Sequence, residues 1–383
     1  MKKRILCLLL SAVFLCSCAE EKTEIITLPS GVAITDGQAA KPAETITVTT
    51  TAPQTTTTPP PPSGSVKIAF AGDTTQSDVF AEATSWRSMR YPFEDVNDIF
   101  SSADISFVNL ETCVSNRGVS EKKEGYGFRT PPEYLQVYTE AGIDIVSAAN
   151  NHVRDFGMEA LDDTFTNLDR YGIGYIGAGR NITEAEKMIV YEVNGLKVGF
   201  TALNMINMDP TWYAKDDRAG INCVDFAACE DYLNLISEYD KQCDVLMVSV
   251  HWGVEYTNAI TDEQQQFGHM LCDNGADIIL GHHSHTLQPI EYYNGSMIFY
   301  SLGNFLFYKM DDEAGKTAIF EIEIDKNGFV SGKLSPVFIT NCKSTLLDTD
   351  KEMYTEIIEL CRTISAPYGV SITENGGIEI ANG

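Results

Sequence analysis

Five short apolar runs in this chain end, within a residue or two, on clusters of aspartate, asparagine, glutamate or histidine. Residues 66–71 lead into Gly72-Asp73, and 105–108 into Asn109-Leu110-Glu111. Residues 143–148 lead into Asn150-Asn151-His152, 245–250 into His251-Trp252-Gly253, and 278–280 into Gly281-His282-His283-Ser284-His285. Runs of this length bounded by loops read as buried strands, as do 198–203 and 297–300. Between them, apolar residues three and four apart over 93–100, 159–168, 225–239 and 264–272 read as helices. Alternating strands and helices predict an α/β sandwich, and 317–339 reads as a hairpin around Asn327-Gly328 at the edge of a second sheet. Functional groups in α/β sheets gather beyond the carboxyl ends of strands, so the five loops are expected to converge although they span more than two hundred residues.

Histidine usage sharpens that expectation. The chain has six histidines, and all but His269 lie in these loops. A carboxylate able to bridge, several neutral imidazoles and an amide oxygen are what two neighbouring divalent cations require. The mixed nitrogen and oxygen set admits Mn, Fe, Zn or Mg.

The motifs Gly72-Asp73, Asn109-Leu110-Glu111, Ala149-Asn150-Asn151-His152 with Asp155 and Gly157, His251-Trp252-Gly253-Val254-Glu255, Gly281 to His285, and Ser301-Leu302-Gly303-Asn304-Phe305 stand in an order that resembles the CapA family. That family is associated with poly-γ-glutamate capsule synthesis and is a branch of the calcineurin-like metallophosphatase superfamily. The resemblance covers roughly 66–339 and implies a four-layer α/β/β/α sandwich with two divalent ions between its sheets. It makes Asp73 and His285 ligands of one ion, Glu111 the bridging carboxylate, and Asn151, His251 and His283 ligands of the other. His152 is then the residue that protonates a leaving group or steadies the transition state. Where the wider superfamily opens with Asp-x-His this chain has Asp73-Thr74-Thr75, and Glu111 replaces a bridging Asp. Asn109, Arg129 and Asn304 are the candidates for substrate contact, with Arg154 a further cation suited to a planar oxyanion. Asp155 is expected to fix its loop.

The ends carry different information. Lys2, Lys3 and Arg4 precede an apolar stretch and Leu15-Cys16-Ser17-Cys18, which resembles a lipobox, so residues 1–17 read as a lipoprotein signal and Cys18 as the lipid attachment site. Residues 18–64, rich in threonine and proline, read as a disordered stalk. Residues 65–340 are expected to form the globular domain, and 341–383 a helix and a weakly held tail. The expected location is the outer face of the cell membrane, held there by the lipid. A net charge of −27 argues against nucleic acid as a partner. The expected function is metal-dependent hydrolysis of a phosphoester or related bond, or else a noncatalytic role in handling an anionic envelope polymer. The seven cysteines beyond Cys18 show no paired spacing and read as core or surface residues with at most one or two disulfides.

Overall fold

The structure, a computed structural model, describes residues 64–381 except 78–79, 81–83, 85–86, 123–126 and 309–312, together with the strand Ile46–Val48. The expected signal, Cys18 and nearly all of the stalk lie outside the described residues. Ile46–Val48 runs parallel to Ile189–Val193, so three residues of the threonine- and proline-rich stretch add a strand to a sheet edge. No helix among the described residues is long and apolar enough to cross a membrane.

Two mixed sheets form the body. Sheet I has seven strands, and its centre is the parallel trio Leu196–Asn204, Val245–His251 and Ile278–His282. Sheet II has ten, with Ser65–Thr74, Ile105–Leu110 and Ile145–Ser147 parallel and adjacent. Because side chains alternate across a strand, each strand of sheet I feeds two cores. Val198, Phe200, Val245, Met247, Ile278 and Leu280 join the core shared with sheet II, whereas Leu203, Leu246, Val248, Val250 and Ile279 join a second core. Phe70 meets Phe299 edge-to-face at 5.0 Å, and Phe107 stacks on Phe200 at 6.4 Å, closing the sheets on each other.

Helices cover the outer faces. Glu230–Asp240 buries Tyr232, Leu233 and Ile236, and Asp262–Asp273 buries Phe267 and Leu271, all in the second core on sheet I. The latter helix starts at a capping box in which the Thr261 hydroxyl accepts from the Gln264 N–H and the Gln264 side chain accepts from the Thr261 N–H. On the other side, Asn97–Ser102, Leu135–Ala141 and Gly157–Tyr171 pack Phe100, Leu135, Tyr138, Leu161 and Phe165 onto sheet II. The layers are therefore α/β/β/α, as the resemblance implies.

Two local expectations need correction. The hairpin of Lys316–Asp325 and Gly328–Thr340 lies inside sheet II, because Lys316–Asp325 pairs with the strand that carries Asp73 through Phe320 and Phe70. The tail is also held: Val370–Ile372 and Gly377–Ile380 pair with each other, and Ile378 pairs with Gly332 and is buried. Alternating Ile378 and Ile380 mark a half-buried strand, a pattern too short to stand out beside the flanking glycines. Among the described residues no disulfide links the seven cysteines from Cys113 to Cys361, five of which are buried.

One close approach fixes the site end of sheet II. The Asp73 N–H donates to the Gly303 carbonyl at 2.9 Å, and Asn304–Leu306 pairs parallel with the end of Ser65–Thr74. A Cβ on Gly72 would sit 1.8 Å from that Gly303 oxygen, so only glycine lets the two backbones meet. Gly72→Ala is expected to lower unfolding free energy by about 1–3 kcal/mol or more, the range for overpacking a tight interior. Urea denaturation measures this, and an unchanged midpoint would contradict the described contact.

Candidate metal centre

The same alternation that builds the shared core delivers the functional side chains. Ile105 and Phe107 face sheet I, so Asn109 does too, and Glu111 follows it. Val245 and Met247 face sheet II, and two steps of two lead to His251. Ile278 and Leu280 lead to His282. In the ladders Asp73 is opposite Asn109, and His251 is opposite His282. Ligand-type residues from both sheets thus enter the gap at one end of the sandwich.

Asp73 and Glu111 are both fully buried, yet their surroundings are opposite. Asp73 Oδ1 accepts from Asn109 Nδ2 at 2.8 Å and His282 Nδ1 at 3.1 Å, and its Oδ2 accepts from the His283 N–H at 3.2 Å. Burial raises the Asp73 pKa, but hydrogen bonds from and the charges of His282 and His285 outweigh it and hold the carboxyl well below the usual carboxylate range. Neither oxygen of Glu111 has a hydrogen-bond donor. Burial first, and then the charge of Asp73, push its pKa well above the ordinary value. A buried carboxylate with no donor is costly to keep charged, and either a proton or a bound cation removes that cost.

Imidazoles ring that orphan. His251 Nε2, His152 Nε2 and His285 Nε2 stand 3.7, 3.9 and 4.0 Å from Glu111 Oε1. These distances are too long for hydrogen bonds and suit atoms sharing an ion through bonds of roughly 2.0–2.3 Å. Two overlapping groups can hold a cation, Asp73 with Glu111 and His251, and Glu111 with His283 and His285. Glu111 belongs to both, and His285 Nδ1 also lies 3.5 Å from Asp73 Oδ2, so His285 touches both groups. Asn151 Oδ1 is 2.9 Å from His251 Nε2. Burial pushes the His251 pKa well below its ordinary value and that of His283 down to about 3, which keeps both rings in the neutral form that ligates metals. The donor set therefore fits divalent ions.

Backbone strain supports the arrangement. His283 and His285 have φ of 90° and 58°, in the left-handed region that side chains rarely adopt. These two turns around Ser284 separate the imidazoles to ring centroids 6.0 Å apart. Asn150 holds the neighbouring loop, its Oδ1 accepting from the N–H groups of His152 and Val153.

Two of the residues expected to contact substrate lie against candidate ligands. Asn109 and Asn304 are fully buried: Asn109 donates to Asp73, and Asn304 Oδ1 faces His285 Nδ1 at 2.9 Å while its Nδ2 donates to the His285 carbonyl. Arg129 stacks its guanidinium over Phe156 at 4.4 Å. Trp252 is a core residue whose indole N–H donates to the Tyr300 carbonyl. Three residues were missed or underread. His282 holds Asp73 from the sheet I side. Asp155 does more than fix its loop, because its Oδ2 lies 2.6 Å from His152 Nδ1 and accepts from the Phe128 N–H. Lys122 stands 3.3 Å from Asp155 Oδ1. The His-x-x-Asp spacing of 152 and 155 was a legible signal; Lys122 had none.

Millimolar Mn²⁺ is expected to raise the Tm of the wild type, by about 2.7 kcal/mol of stability at a hundredfold excess over Kd. In Glu111→Gln that shift is lost, while the metal-free variant is at least as stable as metal-free wild type, because an amide replaces a donorless carboxylate. A wild-type Tm indifferent to Mn, Fe, Zn and Mg would contradict this.

Comparison with known proteins agrees with the motifs. Residues 67–309 match the family model described as bacterial capsule synthesis protein PGA_cap. The chain is 32% identical over 276 residues to the PGA biosynthesis protein CapA of Bacillus subtilis, covering 71% of each chain. It is 26% identical to the capsule biosynthesis protein CapA of Bacillus anthracis, covering 68% of this chain and 64% of that one. Among solved structures, the NAD nucleotidase of Haemophilus influenzae aligns over 79% of this chain and 63% of its own, at 11% identity and a TM-score of 0.39, too distant to build on. With the family model matched from the first strand of sheet II to beyond the Asn304 loop, this chain belongs to the PGA_cap family of bacterial capsule synthesis proteins.

Proposed function

We propose that this protein is a lipid-anchored component of the outer face of the cell membrane, whose metal centre hydrolyses a phosphoester or related bond in capsule or polymer metabolism. The observation that carries the reading is the pairing of the donorless Glu111 carboxylate with a His152 ring whose Nδ1 is pinned by Asp155 at 2.6 Å and whose Nε2 faces the centre. Bound divalent ions supply Lewis-acid neutralisation of the reacting group's charge.

The chain's own residues supply the proton chemistry. In the tautomer whose Nδ1–H donates to Asp155, Nε2 carries the lone pair of the neutral ring. Burial lowers the His152 pKa, and the hydrogen bond and charge of Asp155 oppose that without cancelling it. His152 is therefore neutral at rest and delivers a proton to a leaving group only from its protonated fraction, which Asp155 enlarges. Phe128, whose ring centroid is 4.3 Å from that of His152, limits water around it.

A second reading, a noncatalytic accessory role in synthesis, export or tethering of an anionic polymer such as poly-γ-glutamate, draws on Thr75. It is buried with no partner for its hydroxyl at the place where the wider superfamily carries a ligand histidine.

His152→Ala is expected to cut turnover of a generic phosphodiester by about 10²–10⁴-fold with metal content unchanged. Equal turnover in the variant would remove the role assigned to His152, and no turnover in the wild type would favour the accessory reading. A protonated His152 is needed, so kcat should fall as pH rises through a pKa below the ordinary histidine range. Asp155→Asn removes support for the imidazolium and should move that limb to lower pH. A limb that stays put in the variant would show that Asp155 does not act through His152.

A further inference from the structure

The loop beside the candidate metal centre carries a feature that the proton chemistry leaves unused. The chain is strongly acidic, with a net charge of −27, yet two cations gather there around one indole. Lys122 Nζ lies 5.9 Å and Arg154 Cζ 5.6 Å from the centre of the Trp212 ring. Lys122 Nζ donates to the Asn151 carbonyl at 3.3 Å and stands 3.3 Å from Asp155 Oδ1, against the loop that carries His152. Its side chain is 22% exposed, and an ammonium has three donors, so these two long contacts leave it able to take another acceptor.

Arg154 is almost completely enclosed, at 6% exposure. Its Nη1 donates to the Thr211 carbonyl, its Nη2 faces Glu121 Oε2 at 3.5 Å, and its buried Nε has no acceptor. Burial lowers the Arg154 pKa, which marks a charge held at a cost. A buried cation with a donor left unmet, on the same indole as a second cation with donor capacity to spare, is an arrangement that a bound anion stabilises. The nearby Arg218 does not share this role, because it donates to the carbonyls of Tyr213 and Pro210 and braces the Trp212 loop.

We propose that Lys122 and Arg154, gathered around Trp212, form an anion subsite beside the metal centre that holds a second negative group of the substrate, a carboxylate or a phosphate. The proposal rests on the metal centre being where substrate binds, and it makes this class of substrate one with two anionic groups, the second lying towards Trp212.

The test uses nonhydrolysable probes on the full, Mn²⁺-loaded chain, with metal content measured for every variant. Calorimetry compares propylphosphonate, which has one anionic group, with phosphonopropanoate and trimethylene diphosphonate, which add a carboxylate and a second phosphonate. In the wild type the second group should tighten binding by about tenfold, the order expected of one charge-assisted hydrogen bond. Lys122→Ala should abolish that gain and Lys122→Arg should keep most of it. The probe that shows the gain tells carboxylate from phosphate. No gain for either probe in the wild type, or a gain that survives Lys122→Ala, overturns the subsite. If Lys122→Ala lowers turnover but keeps the gain, Lys122 only positions Asp155, and the proposal is likewise wrong. A wild type that shows the gain but turns over no phosphoester sinks the hydrolase reading and leaves the subsite standing.

Discussion

The structure turns on a carboxylate that the protein itself does not satisfy. Glu111 is enclosed between two sheets with no donor to either oxygen, a few ångströms from Asp73, whose charge raises the cost further. Apolar packing alone does not tolerate such a group, because an unpaired buried charge costs several kcal/mol. The surrounding residues are arranged as though a cation completes the set. Asp73 is over-supplied with donors and stays ionised, His251 and His283 are kept neutral, and His285 reaches both carboxylates. The site is thus a buried cluster of acceptors suited to positive charge from outside the chain.

Positioning that cluster is the work of the sandwich. The ladders put the ends of the parallel trios in register, and the Phe70–Phe299 and Phe107–Phe200 contacts set the gap between them. The glycine at 72 then lets the Asn304 loop reach the strand that carries Asp73, and Asn304 in turn holds His285. Strain is placed where function needs it, at the left-handed backbone of His283 and His285, and the rigid strands on either side over-determine that conformation.

Much of this was legible because two periodicities survive in the sequence. Strand runs ending on Asp73, Glu111, His152, His251 and His285 announced both the α/β class and the end of the sheet where the chemistry lies. What the sequence concealed was direction. Asn109 and Asn304 were expected at a substrate, and only the ladder geometry shows that they are buried against Asp73 and His285. His282 sat in plain view within a three-histidine cluster, but its partner is 209 residues away. Lys122 lies in a charged loop with no periodicity, and no local pattern could have tied it to Asp155 and Trp212. The tail failed for a related reason: Ile378 and Ile380 have meaning only once Gly328–Thr340 offers an edge.

The electrostatic design is one of contrast. A chain with twice as many acids as bases places Lys122 and Arg154 on one indole, Trp212, beside the loop of the candidate metal centre. Everything in that account depends on Glu111 being a metal-holding carboxylate. Crystals of the full chain grown with Mn²⁺, and diffraction recorded at the manganese edge, test it directly. The account predicts anomalous density against Glu111, at bonding distance from its carboxylate and from Asp73, His251, His283 or His285. A map with the chain ordered and no anomalous density at Glu111 would contradict it.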